Sequence, residues 1–80
     1  MRLDKFLKVS RIINRRTIAN EVCDAKKIKV NNNVAKASYS VKIGDVIEIS
    51  MAGKTRKIKV LELNEKTTKE TAANNYINVE

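Results

Sequence analysis

The spacing of apolar residues changes once along this chain, near position 27, and this change constrains the fold most. Before it, Leu3, Phe6 and Leu7 follow the i, i+3, i+4 spacing of an amphipathic helix. After it, Ile28 and Val30 begin an alternation of apolar and polar residues that is typical of strands. A chain of 80 residues buries only about 60% of its unfolded surface, which suffices for one core. We therefore predict an α+β fold in which two N-terminal helices pack on a small, bent antiparallel sheet.

A second helix is expected soon after the first. Asn14 is a suitable N-cap, so this helix should begin at Arg15 and run to about Ala25. The stripe predicted to be buried consists of Ile18, Val22 and Ala25, with Ala19 beside it, while Asn20, Glu21 and Asp24 should face water.

Turn-forming residues divide the remainder of the chain into short extended segments. Strands are predicted at 28–30, from 34, at 41–43, at 46–49 and at 55–63, with turns at 31–33, 44–45 and 52–54. A short helical or strand tail, with Tyr76, Ile77 and Val79 as its apolar residues, should complete the core. We treat residues 1–80 as one domain, with a core motif at 1–49 and a C-terminal hairpin and tail at 50–80.

The residue inventory argues against catalysis and against metal binding. The chain has no histidine and a single cysteine, Cys23, which falls beside the predicted buried stripe and is interpreted as a core residue. Neither a nucleophile elbow nor a phosphate-binding glycine loop is visible. We predict a protein without catalytic residues, cofactor or metal. Since no pattern of a signal peptide or membrane span is visible either, we expect it in the cytoplasm.

The charge favours a polyanionic partner. Seventeen basic residues face nine acidic ones, giving a net charge of +8, and this balance is typical of nucleic-acid binding. Few acidic residues lie among the cations near the N-terminus, so we favour an RNA-binding surface over a merely solvated helix face. Only three aromatic residues are present, so base stacking across an aromatic sheet is poorly supported. The predicted RNA-binding residues are Arg2, Asp4, Lys5, Lys8, Arg11, Arg15 and Arg16.

Asp4 stands out in this set, because a carboxylate repels phosphate. Three interpretations remain open from the sequence. The carboxylate could stabilise the positive N-terminus of the first helix, pair with Lys8 one turn later, or orient a neighbouring arginine toward RNA.

The opening residues and the turns together resemble a known family. The similar motifs are Arg2-Leu3-Asp4-Lys5-Phe6-Leu7, Arg11, Arg15-Arg16-Thr17, Val30-Asn31, and Val41 with Gly44-Asp45. This combination resembles the S4 RNA-binding domain, also called the αL motif, over residues 1–49. Family members often carry glycine where this chain has Lys26 or Lys27, and Asn-Gly where it has Asn31-Asn32. These departures concern the geometry of the hairpin rather than the RNA-binding face.

The resemblance also implies a function. The whole chain is similar to stand-alone bacterial members of the family that act in ribosome quality control. It implies binding to large-subunit ribosomal RNA and to peptidyl-tRNA on an obstructed large subunit, and support of C-terminal alanine tailing by an RqcH-type tailing factor. The alternatives are a constitutive structural component of the ribosome and a large-subunit recycling factor of the heat-shock type.

Overall fold

Two helices precede an antiparallel sheet in the computed structural model, which describes residues 1–79. The helices are α1 (Leu3–Val9) and α2 (Arg16–Asp24), and the strands are β1 (Ile28–Val30), β2 (Asn33–Val34), β3 (Val46–Met51), β4 (Lys54–Val60) and β5 (Tyr76–Val79). The sheet order is β2-β1-β3-β4-β5, and a short 3-10 turn, Ala72–Asn75, leads into β5. The predicted α+β fold is confirmed. No helix in this part of the chain has the length and apolar character needed to cross a membrane.

The core lies between the two helices and the inner face of the sheet. Leu3, Phe6 and Leu7 of α1 are fully buried, as the sequence predicts. They meet alternate residues of the central strands, such as Ile47 and Ile58, which are also fully buried. Each such side chain stabilises the fold by roughly 1.5–3 kcal/mol. Helix α1 is thereby held firmly, and its polar residues have defined positions.

Helix α2 begins one residue later than predicted. Arg15 is the N-cap in place of Asn14, with extended backbone and no hydrogen bond from its side chain. Ile13, in the linker before it, is buried. Because Ile13 anchors the linker in the core, Asn14 lies one residue short of the first helical turn and does not cap it.

The buried face of α2 also differs from the prediction. Its core residues are Ala19, Val22 and Cys23, whereas Ile18 is 38% exposed and Ala25 is exposed. The prediction was therefore right for Val22 and the adjacent Ala19 and wrong for Ile18 and Ala25, and the buried face extends to Cys23 instead. Since two of the three inward residues are small, α2 can lie close to α1.

Both helices end with a left-handed residue that is not glycine. Arg11 follows α1 with φ 56°, and Lys26 follows α2 with φ 61°. At the end of α1 the Arg11 amide donates to the Lys8 carbonyl and the Ile12 amide to the Leu7 carbonyl, and α2 ends with the same pair of bonds. This is the Schellman arrangement, in which glycine is usual. A residue with a side chain adopts it at a cost of roughly 1–2 kcal/mol.

The turn between β1 and β2 keeps its geometry without glycine. Asn31 and Asn32 have φ of 51° and 71°, the left-handed values that a two-residue hairpin turn requires. Asparagine tolerates this conformation, as the sequence analysis assumed. Lys26 after α2 and Asn31-Asn32 in this turn therefore adopt left-handed conformations without glycine.

Asp45 links the loop after β2 to the start of β3. Its buried carboxylate accepts hydrogen bonds from the Tyr39 hydroxyl (2.8 Å), the Asn31 side chain (3.1 Å) and the Lys42 amide (2.9 Å). Burial raises the pKa of Asp45, but these hydrogen bonds outweigh it and hold the pKa below its ordinary value. The neighbouring Gly44 has φ 95°, a value suited to glycine. Both residues thus serve the turn that the sequence predicted.

The C-terminal tail closes the core from the side of α1. The buried Asn75 side chain donates to the Ser10 hydroxyl (3.3 Å) and to the Asn64 carbonyl (3.1 Å). The Thr67 hydroxyl donates to the Val9 carbonyl. The tail is therefore tied to the end of α1 by two separate contacts.

Strand β5 then pairs with β4. The register runs from Val60 opposite Tyr76 to Lys57 opposite Val79, which confirms the predicted terminal strand. Strand β4 itself ends at Val60, three residues before the predicted end at 63, and Leu61 is 44% exposed. The Leu61 amide is bonded to the Asn75 carbonyl, so the chain leaves the ladder there to join the tail.

Candidate RNA interface

Asp4 lies at the centre of a cluster of polar side chains where α1 meets α2. The Asp4 carboxylate accepts two hydrogen bonds from Arg2, at 3.2 and 3.3 Å, and forms an ion pair with the Arg16 Nε at 3.3 Å. The Asn20 side chain donates to it at 3.5 Å. We call Arg2, Asp4, Arg16 and Asn20 the Asp4 cluster.

The Asp4 cluster combines a buried anion with exposed cations. The Asp4 side chain is only 3% exposed, whereas the side chains of Arg2 and Arg16 are about half exposed, at 50% and 47%. Each arginine has five N–H donors in a planar fork, so an exposed guanidinium that faces Asp4 on one edge keeps donors for another anion. The carboxylate thus fixes the direction of two guanidinium groups.

Hydrogen bonding sets the charge state of Asp4. Burial raises its pKa, but hydrogen bonds from Arg16, Arg2, the Lys5 amide and Asn20 outweigh burial and keep the pKa below its ordinary value. The Lys5 amide bond, at 2.8 Å, places the carboxylate at the N-terminus of α1. The contact with the N-terminus of α1 and the contacts with two neighbouring arginines thus coexist. The ion pair with Lys8 does not occur among the described residues.

Lys5 points away from the Asp4 cluster, toward the tail. Its Nζ lies 2.9 Å from the Glu65 carboxylate, and this hydrogen bond lowers the pKa of Glu65. Both side chains are solvent-exposed, so the pair adds little to stability. Glu65 is 60 residues away in sequence, and no pattern in the sequence pairs it with Lys5.

Lys8 and Arg11 lie together at the other end of α1. Both are exposed, and with Val9, Glu65 and Thr67 they line a shallow cleft. Arg15, the N-cap of α2, is also exposed. Of the six predicted cations, Arg2 and Arg16 thus share Asp4, Lys5 pairs with Glu65, and Lys8 and Arg11 line a cleft that Glu65 also lines.

A groove beside the Asp4 cluster contains cations that the sequence analysis missed. Its charged and polar lining residues are Arg2, Asn20, Asp24, Lys26, Lys36 and Ser38. Asn20 was expected to face water, but it contacts Asp4.

Cys23 is buried against the core. Burial, followed by the charges of Asp4 and Asp24, raises its pKa to about 11. Since the thiolate is the nucleophilic form, this cysteine is unreactive at neutral pH. Its placement agrees with the predicted structural role.

The family model of the S4 domain matches residues 1–47 of this chain. The chain belongs to the S4 domain family. The match covers the Asp4 cluster, both helices and the first two strands, and it ends within β3. Strands β4 and β5 therefore lie outside the S4 match.

Curated relatives cover nearly the whole chain. It is 54% identical over 76 residues to the RQC P-site tRNA stabilizing factor of Streptococcus pneumoniae, a match that spans 95% of this chain and 86% of the relative. The protein of the same name from Bacillus subtilis is also 54% identical, over 95% of this chain and 88% of the relative. The trimeric structure of Vibrio cholerae Heat Shock Protein 15 superposes with a TM-score of 0.92 at 26% identity, covering 99% of this chain and 81% of that one.

Arg11 allows the two roles of a cation in this S4 domain to be separated. Arg11→Gly places the preferred residue at the left-handed end of α1, so the free energy of unfolding should change by less than about 1 kcal/mol. The same change removes one predicted RNA contact. We expect weaker binding to a structured RNA, measured by filter binding, with a nearly unchanged urea midpoint. Unchanged binding would mean that Arg11 does not contact RNA.

Proposed function

We propose that this chain is a non-enzymatic RNA-binding factor that acts in ribosome quality control, on a large ribosomal subunit that carries peptidyl-tRNA. The observation that carries this proposal is the Asp4 cluster, in which a buried carboxylate orients two exposed arginines within the S4 match. The names of the 54% identical relatives support the assignment to P-site tRNA.

The proposed contacts are to RNA backbone. Arg2 and Arg16 present planar guanidinium forks, which suit phosphate oxygens, and Lys5, Lys8, Arg11 and Arg15 extend the footprint. A helix cannot enter the narrow major groove of A-form RNA, so recognition should depend on shape and on phosphate and 2′-hydroxyl groups. This mode suits a protein that contacts both ribosomal RNA and tRNA.

In this proposal, the protein acts by stabilising one position of the tRNA. By binding one position of the tRNA on the large subunit better than the others, it shifts the population toward that position. A tRNA held there would let an RqcH-type tailing factor repeat its cycle, which is how the protein would support C-terminal alanine tailing. This activity places the protein in the cytoplasm with the ribosome. It requires no catalytic residue, cofactor or metal in this chain.

The first test is Arg16→Ala. This change removes one of the two guanidinium groups that Asp4 orients, and we expect binding to large subunits to weaken by at least tenfold. Co-sedimentation of purified protein with large subunits measures it. Lys69→Ala is the matched control, because Lys69 is an exposed cation of the tail. Equal co-sedimentation of Arg16→Ala and the wild-type protein would contradict the proposal.

Two alternatives make different predictions for purified particles. The TM-score of 0.92 to Heat Shock Protein 15 favours a recycling factor of the heat-shock type as the second candidate. Cryo-electron microscopy of particles purified through a tag on this protein distinguishes the quality-control function from these alternatives. Density against tRNA on a free large subunit supports the quality-control function, whereas particles with the protein bound away from tRNA favour the second candidate. A constitutive ribosomal component would be stoichiometric on all large subunits.

A further inference from the structure

A third arginine with a fixed orientation lies on β4, outside the S4 match. Arg56 is exposed, yet its Nε donates to the Asn78 side-chain oxygen at 3.2 Å and its Nη2 to the Tyr76 hydroxyl at 3.0 Å. The guanidinium carbon is also 5.2 Å from the centre of the Tyr76 ring. Exposed arginines usually sample many rotamers. Two residues of β5 hold this one in place.

Within residues 1–79, the guanidinium of Arg56 has no acidic partner. Both of its hydrogen-bond partners are neutral. Strand β4 carries Lys54, Arg56, Lys57 and Lys59 and no acidic residue. Because side chains alternate along a strand, Lys54 shares the side of Arg56, while Lys57 and Lys59 project to the opposite face. Arg56 is thus a fixed positive charge within a basic strand.

The N–H groups of Arg56 that Asn78 and Tyr76 leave unused indicate which ligand this side chain can bind. Of the five N–H groups of a guanidinium, Asn78 and Tyr76 each take one, so three remain, including both on Nη1. This is the fork that binds two oxygens of a phosphate. Because the side chain is already ordered, binding loses less conformational entropy than it would for a free arginine.

We propose that Arg56, held by Tyr76 and Asn78, is a second anchor for the RNA backbone and binds a phosphate group. The ligand class rests on the proposed function, but the site is on a different element from the Asp4 cluster. It assigns a binding role to the part of the chain that follows the S4 match. An RNA held at both places would have a defined orientation on the protein, which a single cluster of arginines does not give.

Arg56→Gln tests this anchor. We expect roughly tenfold weaker binding, and a slope of log affinity against log salt that is smaller by about one, since one phosphate contact is lost. Binding is measured at several salt concentrations, both to purified large subunits and to a structured RNA hairpin. Lys59→Gln is the matched control, because it removes the same charge from the opposite face of the same strand. It should leave the slope nearly unchanged.

Tyr76→Phe is the second variant. It keeps the ring and the net charge and removes only the hydroxyl that fixes Arg56. We expect binding to weaken by about two- to threefold, which the loss of long-range attraction cannot explain. Unchanged binding by Tyr76→Phe would overturn the role of Tyr76 in holding the anchor.

The outcomes separate this inference from the proposed function. Equal losses in Arg56→Gln and Lys59→Gln would mean that only net charge matters, and would overturn it. A lower melting temperature for Arg56→Gln with unchanged binding would also overturn it, because Arg56 would then serve only the β4–β5 pair. If the wild-type protein binds the hairpin but not large subunits, the proposed function fails while the hairpin still tests Arg56. If it binds neither, both fail.

Discussion

Replacing Asp4 with arginine is expected to weaken binding to large ribosomal subunits by more than tenfold, although it makes the protein more basic. The substitution places a third guanidinium between Arg2 and Arg16, at a position where the native side chain is 3% exposed. The two native arginines lose their shared carboxylate and are repelled from their present directions. An uncompensated charge at a buried position also costs roughly 3–5 kcal/mol of stability. Co-sedimentation measures the first effect and urea unfolding the second.

Two control variants show whether the orientation of the arginines is responsible. Asp24→Arg makes the same change in net charge at an exposed position of α2, and its binding should not weaken. Asp4→Asn keeps the size of the side chain and removes its charge, so it should bind more weakly than the wild-type protein while it remains folded. Tighter binding by Asp4→Arg would show that Asp4 only stabilises the N-terminus of α1.

Deleting residues 76–80 is expected to leave a chain that does not fold cooperatively. The deletion removes β5, which pairs with β4 from Lys57 to Val60, and uncovers one side of the fully buried Ile58 and Val60. Burial of such residues contributes about 1.5–3 kcal/mol each, and the total stability of a small domain is about 5–15 kcal/mol. Far-ultraviolet circular dichroism during urea unfolding measures the loss.

A single substitution in the same strand gives the comparison. Ile77 is 52% exposed in β5, so Ile77→Ala should lower the free energy of unfolding by less than about 1 kcal/mol. A truncated chain with the urea midpoint of Ile77→Ala would show that β5 adds little. In that case the core of residues 1–75 would be sufficient for folding.

Local patterns in the sequence predicted most of the fold. The i, i+3, i+4 spacing of Leu3, Phe6 and Leu7 identified α1 and its buried face. The alternation after position 27 identified β1, β3 and β4, but the strand predicted at 41–43 was wrong, because Ile43 is exposed and the segment is a loop.

The face of α2 was right for Val22 and Ala19 but wrong for Ile18 and Ala25, because hydrophobicity placed Ile18 at its centre. The packing of two helices depends on size as well as on hydrophobicity, and a smaller residue fits where they lie close.

The sequence predicted which residues belong to the candidate site, but not which of them contact one another. Arg2 and Arg16 were both identified, yet the shared contact with Asp4 depends on how α1 and α2 cross, which residue spacing does not give. The pair of Lys5 with Glu65 likewise needs the path of the tail. Arg56 was not singled out, because its two partners are brought to it by the β4–β5 register.

The contacts between α1 and the tail have a consequence for synthesis on the ribosome. Ser10 meets Asn75, 65 residues further along the chain, and contacts of such long range slow folding. At about 5–20 residues per second, Ser10 is made roughly 3–13 seconds before Asn75. During that interval the apolar face of α1 lacks its final neighbours, as it does in any copy whose translation stops early. Incomplete copies of this protein should therefore be substrates for proteases and chaperones.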